Sequence, residues 1–184
     1  MFDLYQAVGL FFLYAFLGWC VEVAFVAVTC GRVVNRGFLN GPVCPIYGFG
    51  MLGVLYLLRP VEENLFLLFL GGMVLASALE LAGGWALNRL FHTRWWDYSN
   101  EPFNLGGYIC LKFSLMWGLG TVMVVRLVHP ALYDLFLWIP RRLGVGLEIF
   151  LALIFLADLA ATVVTVMGLE RDMKELHELA GTLR

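Results

Sequence analysis

Five stretches of more than twenty residues carry two charged side chains or fewer, and that pattern decides which solvent the chain folds in. They run from Leu4 to Thr29, Gly37 to Leu58, Asn64 to Asn88, Gly107 to Val128 and Leu143 to Leu169. About 20 apolar residues in a helix are enough to cross the hydrocarbon of a bilayer. The sequence therefore predicts an all-α, polytopic integral membrane protein of about five transmembrane helices, placed as a multi-pass protein of the plasma membrane. Composition agrees: of 184 residues, 61% are hydrophobic and 14% charged, and the mean hydropathy is +0.84. So little charge does not cover a water-soluble domain. A formal net charge of −2 supplies no field for a phosphate backbone, so membrane lipids are expected partners and nucleic acid is not.

The start of the chain lacks the basic segment of a cleavable signal, so the N-terminus is expected to be retained. Pro42 and Pro45 interrupt the second stretch, which predicts a broken or re-entrant first half and a helical second half. With five spans, Arg32, Arg36, Arg89, Arg94, Lys112, Arg171, Lys174 and Arg184 fall on one side of the membrane. Arg59, Arg126, Arg141 and Arg142 fall on the other, which predicts a cytoplasmic C-terminus. Residues 1–169 read as a single transmembrane domain and residues 170–184 as an amphipathic C-terminal helix. In the latter, Leu169, Met173, Leu176, Leu179 and Leu183 recur at helical spacing. Such a helix lies on the membrane or docks a partner.

Two helix, polar loop, helix units follow one another, about residues 4–58 and 64–128, with the span at about 143–169 outside them. Phe38-Leu39-Asn40-Gly41-Pro42-Val43-Cys44 echoes Phe103-Asn104-Leu105-Gly106-Gly107-Tyr108-Ile109-Cys110, allowing one gap. The units would be parallel repeats; the alternative is a chance match of short Gly and Asn stretches. Glu22 and Glu80 lie roughly 10–12 Å from the same end of their spans. A carboxylate at such a depth costs a few kcal/mol in lipid, roughly, and is expected to face the bundle interior. There the pair holds a proton or cation, or each glutamate ties down its own loop, with Arg36 and Arg94 as counter-charges.

Loop residues Trp95 to Asn100 gather two indoles, a carboxylate, a phenol and an amide, enough for a headgroup pocket or for an interfacial aromatic belt. Asn35 and Asn40 belong to turns or to a polar cavity. Asp158 shares a helical face with Thr162 and Thr165, completing that cavity or bonding to a neighbouring helix. Cys20, Cys30, Cys44 and Cys110 have neither zinc spacing nor a C-x-x-C pair, so no metal is expected and no cofactor. Zincin, nucleophile-elbow and P-loop motifs are absent. Gly48-Phe49-Gly50-Met51-Leu52-Gly53 fits G-x-G-x-x-G but lies in an apolar span with no strand before it, as helix packing would.

The run Asn35-Arg36-Gly37-Phe38-Leu39-Asn40-Gly41-Pro42, then Cys44-Pro45-Ile46-Tyr47-Gly48, then Trp95-Trp96-Asp97-Tyr98-Ser99, Asn104 and Cys110-Leu111 resembles a bacterial family of integral membrane proteins, the ABC-transporter type IV permeases. The resemblance spans about Phe11 to Gly118 and implies a transport role without a substrate. Together with the residue reading it gives a binding set of Glu22, Asn35, Arg36, Asn40, Tyr47, Glu80, Arg94, Trp96, Asp97, Tyr98, Asn104 and Asp158. The expected function is a small transporter or permease component whose cavity at Glu22 and Glu80 binds or moves a small polar or amphiphilic solute. A membrane-embedded enzyme acting on a lipid or isoprenoid headgroup is the alternative, with Asp97 or a membrane glutamate as acid or base. An ABC component would take its ATPase from a separate subunit, because this chain has no ATP-hydrolysing motif, and the bundle is compatible with a homodimer.

Overall fold

The computed structural model describes the backbone of residues 2–182 and the side chains of residues 2–169 and 171. Four of its helical stretches are long and apolar enough to cross a membrane: Leu4–Cys30, Leu65–Phe91, Leu111–Leu137 and Arg141–Leu169. At 27 to 29 residues each reaches about 40 Å, more than the ~30 Å of hydrocarbon. The helices are α1 (Leu4–Cys30), α2 (Pro45–Leu57), α3 (Leu65–Phe91), α4 (Leu111–Met123), α5 (His129–Leu137) and α6 (Arg141–Thr182). Loop one joins α1 to α2. Loop two joins α3 to α4 and contains a short antiparallel hairpin, β1 (Asn104–Leu105) and β2 (Ile109–Cys110).

The ends of these helices follow from local chemistry. Asp3 and Gln6 form a reciprocal capping box at the start of α1, and Gly31 closes its other end in the left-handed conformation at φ 66°. Asn64 caps α3 through the backbone N–H groups of Phe66 and Leu67. Pro130 has no N–H, and its ring would clash with the carbonyl four residues earlier. The helix widens there into a π turn, Val124–Val128, that joins α4 to α5, with the His129 N–H reaching the Val124 carbonyl.

Side-chain contacts give the helix directions. Gly48 of α2 packs on Phe11 of α1, and Leu10 and Tyr14 form a buried cluster with Leu55, so α2 runs back along α1. Gly50 and Gly53 of α2 face Leu79 and Leu75 of α3, again antiparallel. Gly72 and Gly84 of α3 pack on Thr121 and Tyr108, so α4 descends along α3. α6 runs parallel to α1: Arg141 pairs with Asp3 at 2.9 Å, Gly144 packs on Tyr5 and Phe155 meets Phe12 edge-on. The outer surface is apolar, with Phe25, Val74, Leu119, Leu147, Phe150 and Leu153 exposed. Lipid is the solvent such a surface requires.

One expectation needs correction. The fifth long span is not there: of residues 37–58 only Pro45–Leu57 is helical, and 13 residues reach only about 20 Å. Pro42 and Pro45 hold the preceding chain out of helical geometry, and loop one folds back along α1 until the Cys44 N–H donates to the Ala15 carbonyl at 2.9 Å. The C-terminal segment continues the last span. α6 runs unbroken from Arg141 to Thr182, while the side chains of the amphipathic set Met173, Leu176, Leu179 and Leu183 lie outside the described residues.

Candidate functional site

Irregular backbone at membrane depth needs partners within the protein. In loop one Asn35 supplies several. Its Nδ2 donates to the carbonyls of Leu39 and Asn40, and its Oδ1 accepts from the Gly37 N–H and from Trp19 Nε1. Asp158 of α6 supplies the rest, accepting from the Gly41 N–H at 2.8 Å and from Asn40 Nδ2 at 3.1 Å, beside Thr162. Asp158 thus fastens loop one to α6 instead of facing the glutamates.

Loop two has an equivalent organiser in Asn104. Its Nδ2 donates to the carbonyls of Ser99 and Glu101, and its Oδ1 accepts from the Gly107 N–H. Arg94 pairs with Asp97 at 3.1 Å and lies over the Tyr108 ring, so Arg94 serves its own loop and not Glu80. The Ser99 hydroxyl and backbone N–H hold the Asp97 carboxyl below its usual range, with Arg94 adding to the effect. Trp96 packs on Gly84 and donates its Nε1 to the Tyr108 carbonyl, and Trp95 meets Phe38 and Phe91 across the two loops.

Both loops end on glutamates. Glu22 Oε1 accepts from the Tyr47 hydroxyl at 2.6 Å, and Glu22 Oε2 lies 3.8 Å from the Arg36 guanidinium. Glu80 accepts from the Tyr98 hydroxyl at 2.8 Å on one oxygen and from Trp117 Nε1 at 3.1 Å on the other. Burial first, and then the Glu80 carboxylate, raises the Tyr98 hydroxyl above the usual phenol range, so it stays a donor at neutral pH. The Tyr47 and Trp117 rings meet edge-to-face with centroids 5.8 Å apart, joining the two glutamate clusters.

Where the sequence predicts a polar cavity beneath the loops, the structure places the rings of Tyr47, Tyr98 and Trp117 against the two carboxylates as hydrogen-bond donors.

Trp117 was missing from the sequence-derived set. Its signal was an aromatic residue directly before a glycine, as in Tyr47-Gly48, and it is easily overlooked in an apolar helix. Among the described residues, no group of three or more His, Cys, Asp or Glu side chains is placed to hold a metal ion.

A family model described as "Putative ABC-transporter type IV" matches residues 9–163. The chain belongs to that family. The match extends past Gly118, where the recognisable motifs stop, and takes in the part of α6 that carries Asp158. Loop one and its anchor on α6 therefore fall within one family unit. No curated protein and no solved structure matches the chain.

Proposed function

We propose that this member of the type IV family is a membrane transporter component in which Glu22 and Glu80 act as a coupled acceptor for a proton or small cation. The observation that carries the reading is the contact between Tyr47 and Trp117, each donating to its own glutamate while packed against the other's donor. A change in charge at one carboxylate alters the bond made by one ring, and the second ring adjoins it. The solute would be small and polar or amphiphilic. It would reach the glutamates when loop one or loop two lifts away. Asp97 is held by Ser99 and Arg94 within its loop, which favours transport over headgroup chemistry with Asp97 as acid or base.

In this reading the two helix, loop, helix units are parallel repeats, the C-terminus is cytoplasmic, the membrane is the plasma membrane, and ATP hydrolysis, where the cycle uses it, comes from a separate subunit. A second copy of the chain fits the same reading.

Native mass spectrometry of the chain gently solubilised from its own membranes tests it, comparing wild type with Glu22→Gln and Glu80→Gln. A small bound mass that both variants lose supports a site centred on the glutamates, and a stoichiometric ATPase supports the ABC arrangement. A mass retained by both variants, or solute uptake undiminished in both, overturns the glutamate-centred reading.

A further inference from the structure

A cavity of about 470 Å³ opens at the end of the bundle opposite the two loops, within the usual size range of small-ligand sites. It lies where α1 and α3 begin and α2 ends, next to the π turn. Phe2, Leu55, Val125 and Pro130 give it an apolar wall, while Arg59, Glu62, Arg126 and His129 bring charge and hydrogen-bonding groups to it. The charges sort themselves. Arg126 is engaged with the Glu63 carboxylate at 3.3 Å and with the Glu62 carbonyl. Among the described residues, neither the Arg59 guanidinium nor the Glu62 carboxylate has a hydrogen-bond or ion-pair partner in the protein. The cavity is left with one uncommitted cation and one uncommitted anion.

Two further polar side chains accompany Arg59. His129 Nδ1 is bonded to the Tyr14 hydroxyl at 2.8 Å, which leaves Nε2 available. The Tyr133 hydroxyl accepts from Gln6 Nε2 at 2.8 Å and keeps its proton to donate. The π turn brings the histidine here, since a helix wound regularly through Pro130 would present another face. The rings of Phe2, His129 and Tyr133 pack against one another at 5.5 to 6.2 Å. They form a wall and not an open cage for a quaternary ammonium.

We propose that this cavity binds a phosphate ester bearing a primary ammonium, with the phosphate on Arg59 and the ammonium on Glu62. A planar guanidinium matches phosphate oxygens, and a carboxylate takes N–H bonds that a trimethylated ammonium does not offer. Arg59 to Asn64 link the apolar helices α2 and α3, so the site stands at headgroup level. The group is that of an ethanolamine phospholipid or of its water-soluble headgroup.

The test is native mass spectrometry of the full chain in nanodiscs of equal phosphatidylethanolamine, phosphatidylglycerol and phosphatidylcholine. Wild type is expected to retain phosphatidylethanolamine over the other two. Arg59→Gln lowers that retention by about tenfold or more, as the loss of a charged hydrogen bond does. Glu62→Gln retains phospholipid but loses the preference for ethanolamine over glycerol. Neither side chain holds another residue by a hydrogen bond or ion pair among the described residues, so both variants are expected to fold. Displacement of the lipid by soluble phosphoethanolamine assigns the site to the free headgroup, and persistence assigns it to the lipid. Equal retention of the three lipids by wild type, or a pattern unchanged in both variants, overturns the proposal.

Discussion

Glu80 is 8% exposed and takes two hydrogen bonds from neutral aromatic donors, whereas the Glu22 side chain is 27% exposed and takes one, with Arg36 nearby. The helix contacts around them correspond closely. Gly48 packs on Phe11 and Gly118 on Phe69, the phenylalanine standing eleven residues before the glutamate in both cases. The donor residue precedes that glycine in both, Tyr47 and Trp117. What differs is the lid. Loop two sends Tyr98 down onto its glutamate, while loop one sends Arg36, spends Asn35 on its own backbone and Asn40 on Asp158 and Thr162 of α6. One helix-pair geometry thus offers an enclosed acceptor and a more open one.

The comparison breaks most completely if the helices are forced apart. A Cβ on Gly48 would lie 2.7 Å from the Phe11 carbonyl and one on Gly118 would lie 2.9 Å from the Phe69 carbonyl. Gly48→Leu and Gly118→Leu are each expected to cost roughly 3 kcal/mol or more, the upper range of overpacking. Both would show as lost thermal stability of the purified protein; an unchanged melting temperature in either would mean the helices separate freely.

Next in size is Asp158→Ala. It leaves the Gly41 N–H without its acceptor and the Asn40 amide with Thr162 alone, and costs about 1–3 kcal/mol, most of it in loop one. Hydrogen exchange should accelerate at residues 35–44 and stay unchanged at 98–107. Equal acceleration in both loops would contradict the assignment.

The two phenols sharpen the difference between the sites. Tyr98→Phe removes a donor from a buried carboxylate and is expected to cost about 1–3 kcal/mol. Tyr47→Phe leaves Glu22 with Arg36 and solvent and should cost less, about 1 kcal/mol. Denaturant titration of the two variants ranks them, and the reverse order would mean Glu22 is the more enclosed.

The smallest effect belongs to Asp97. Its carboxyl is more acidic in the fold than the ordinary value of 3.8, so its support for loop two is complete above that value. Support drains away as pH falls through the lower folded value. Protection factors at residues 98–107, corrected for the intrinsic pH dependence of amide exchange, should fall as pH drops below about 4. Asp97→Asn should remove that fall.

Four of the spans and the two glutamates were readable in the sequence because charge at membrane depth is expensive and stands out against apolar helix. The re-entrant half of the second stretch was readable from Pro42 and Pro45. Vertical register was not. Matching Cys44 to Cys110 puts Tyr47 three residues after its cysteine and Trp117 seven after its own, so equivalent helix contacts are offset by four residues, about one turn. Loop one dives as far as Ala15 before α2 starts, whereas α4 starts opposite Gly84. Depth of this kind depends on contacts between helices, and a linear pattern of residue types does not carry it. The partners of Arg94 and Asp158 were hidden for the same reason, since a charge near a glutamate in sequence can spend itself on its own loop or on a helix far along the chain.

The exposed flank of α6 inverts the usual arithmetic of side-chain truncation. Phe150 and Leu153 present more than half of their surface to the surrounding solvent, and Leu147 and Ile154 about half. Shortening one of them opens no void, because an acyl chain flows into the vacated space. On this helix a leucine is worth what it gains by partitioning into hydrocarbon, and jigsaw fit contributes little. Asp158 is the opposite case, a residue whose value lies wholly in whom it holds. A mutational scan of α6 would accordingly be flat along its lipid flank and steep at one carboxylate.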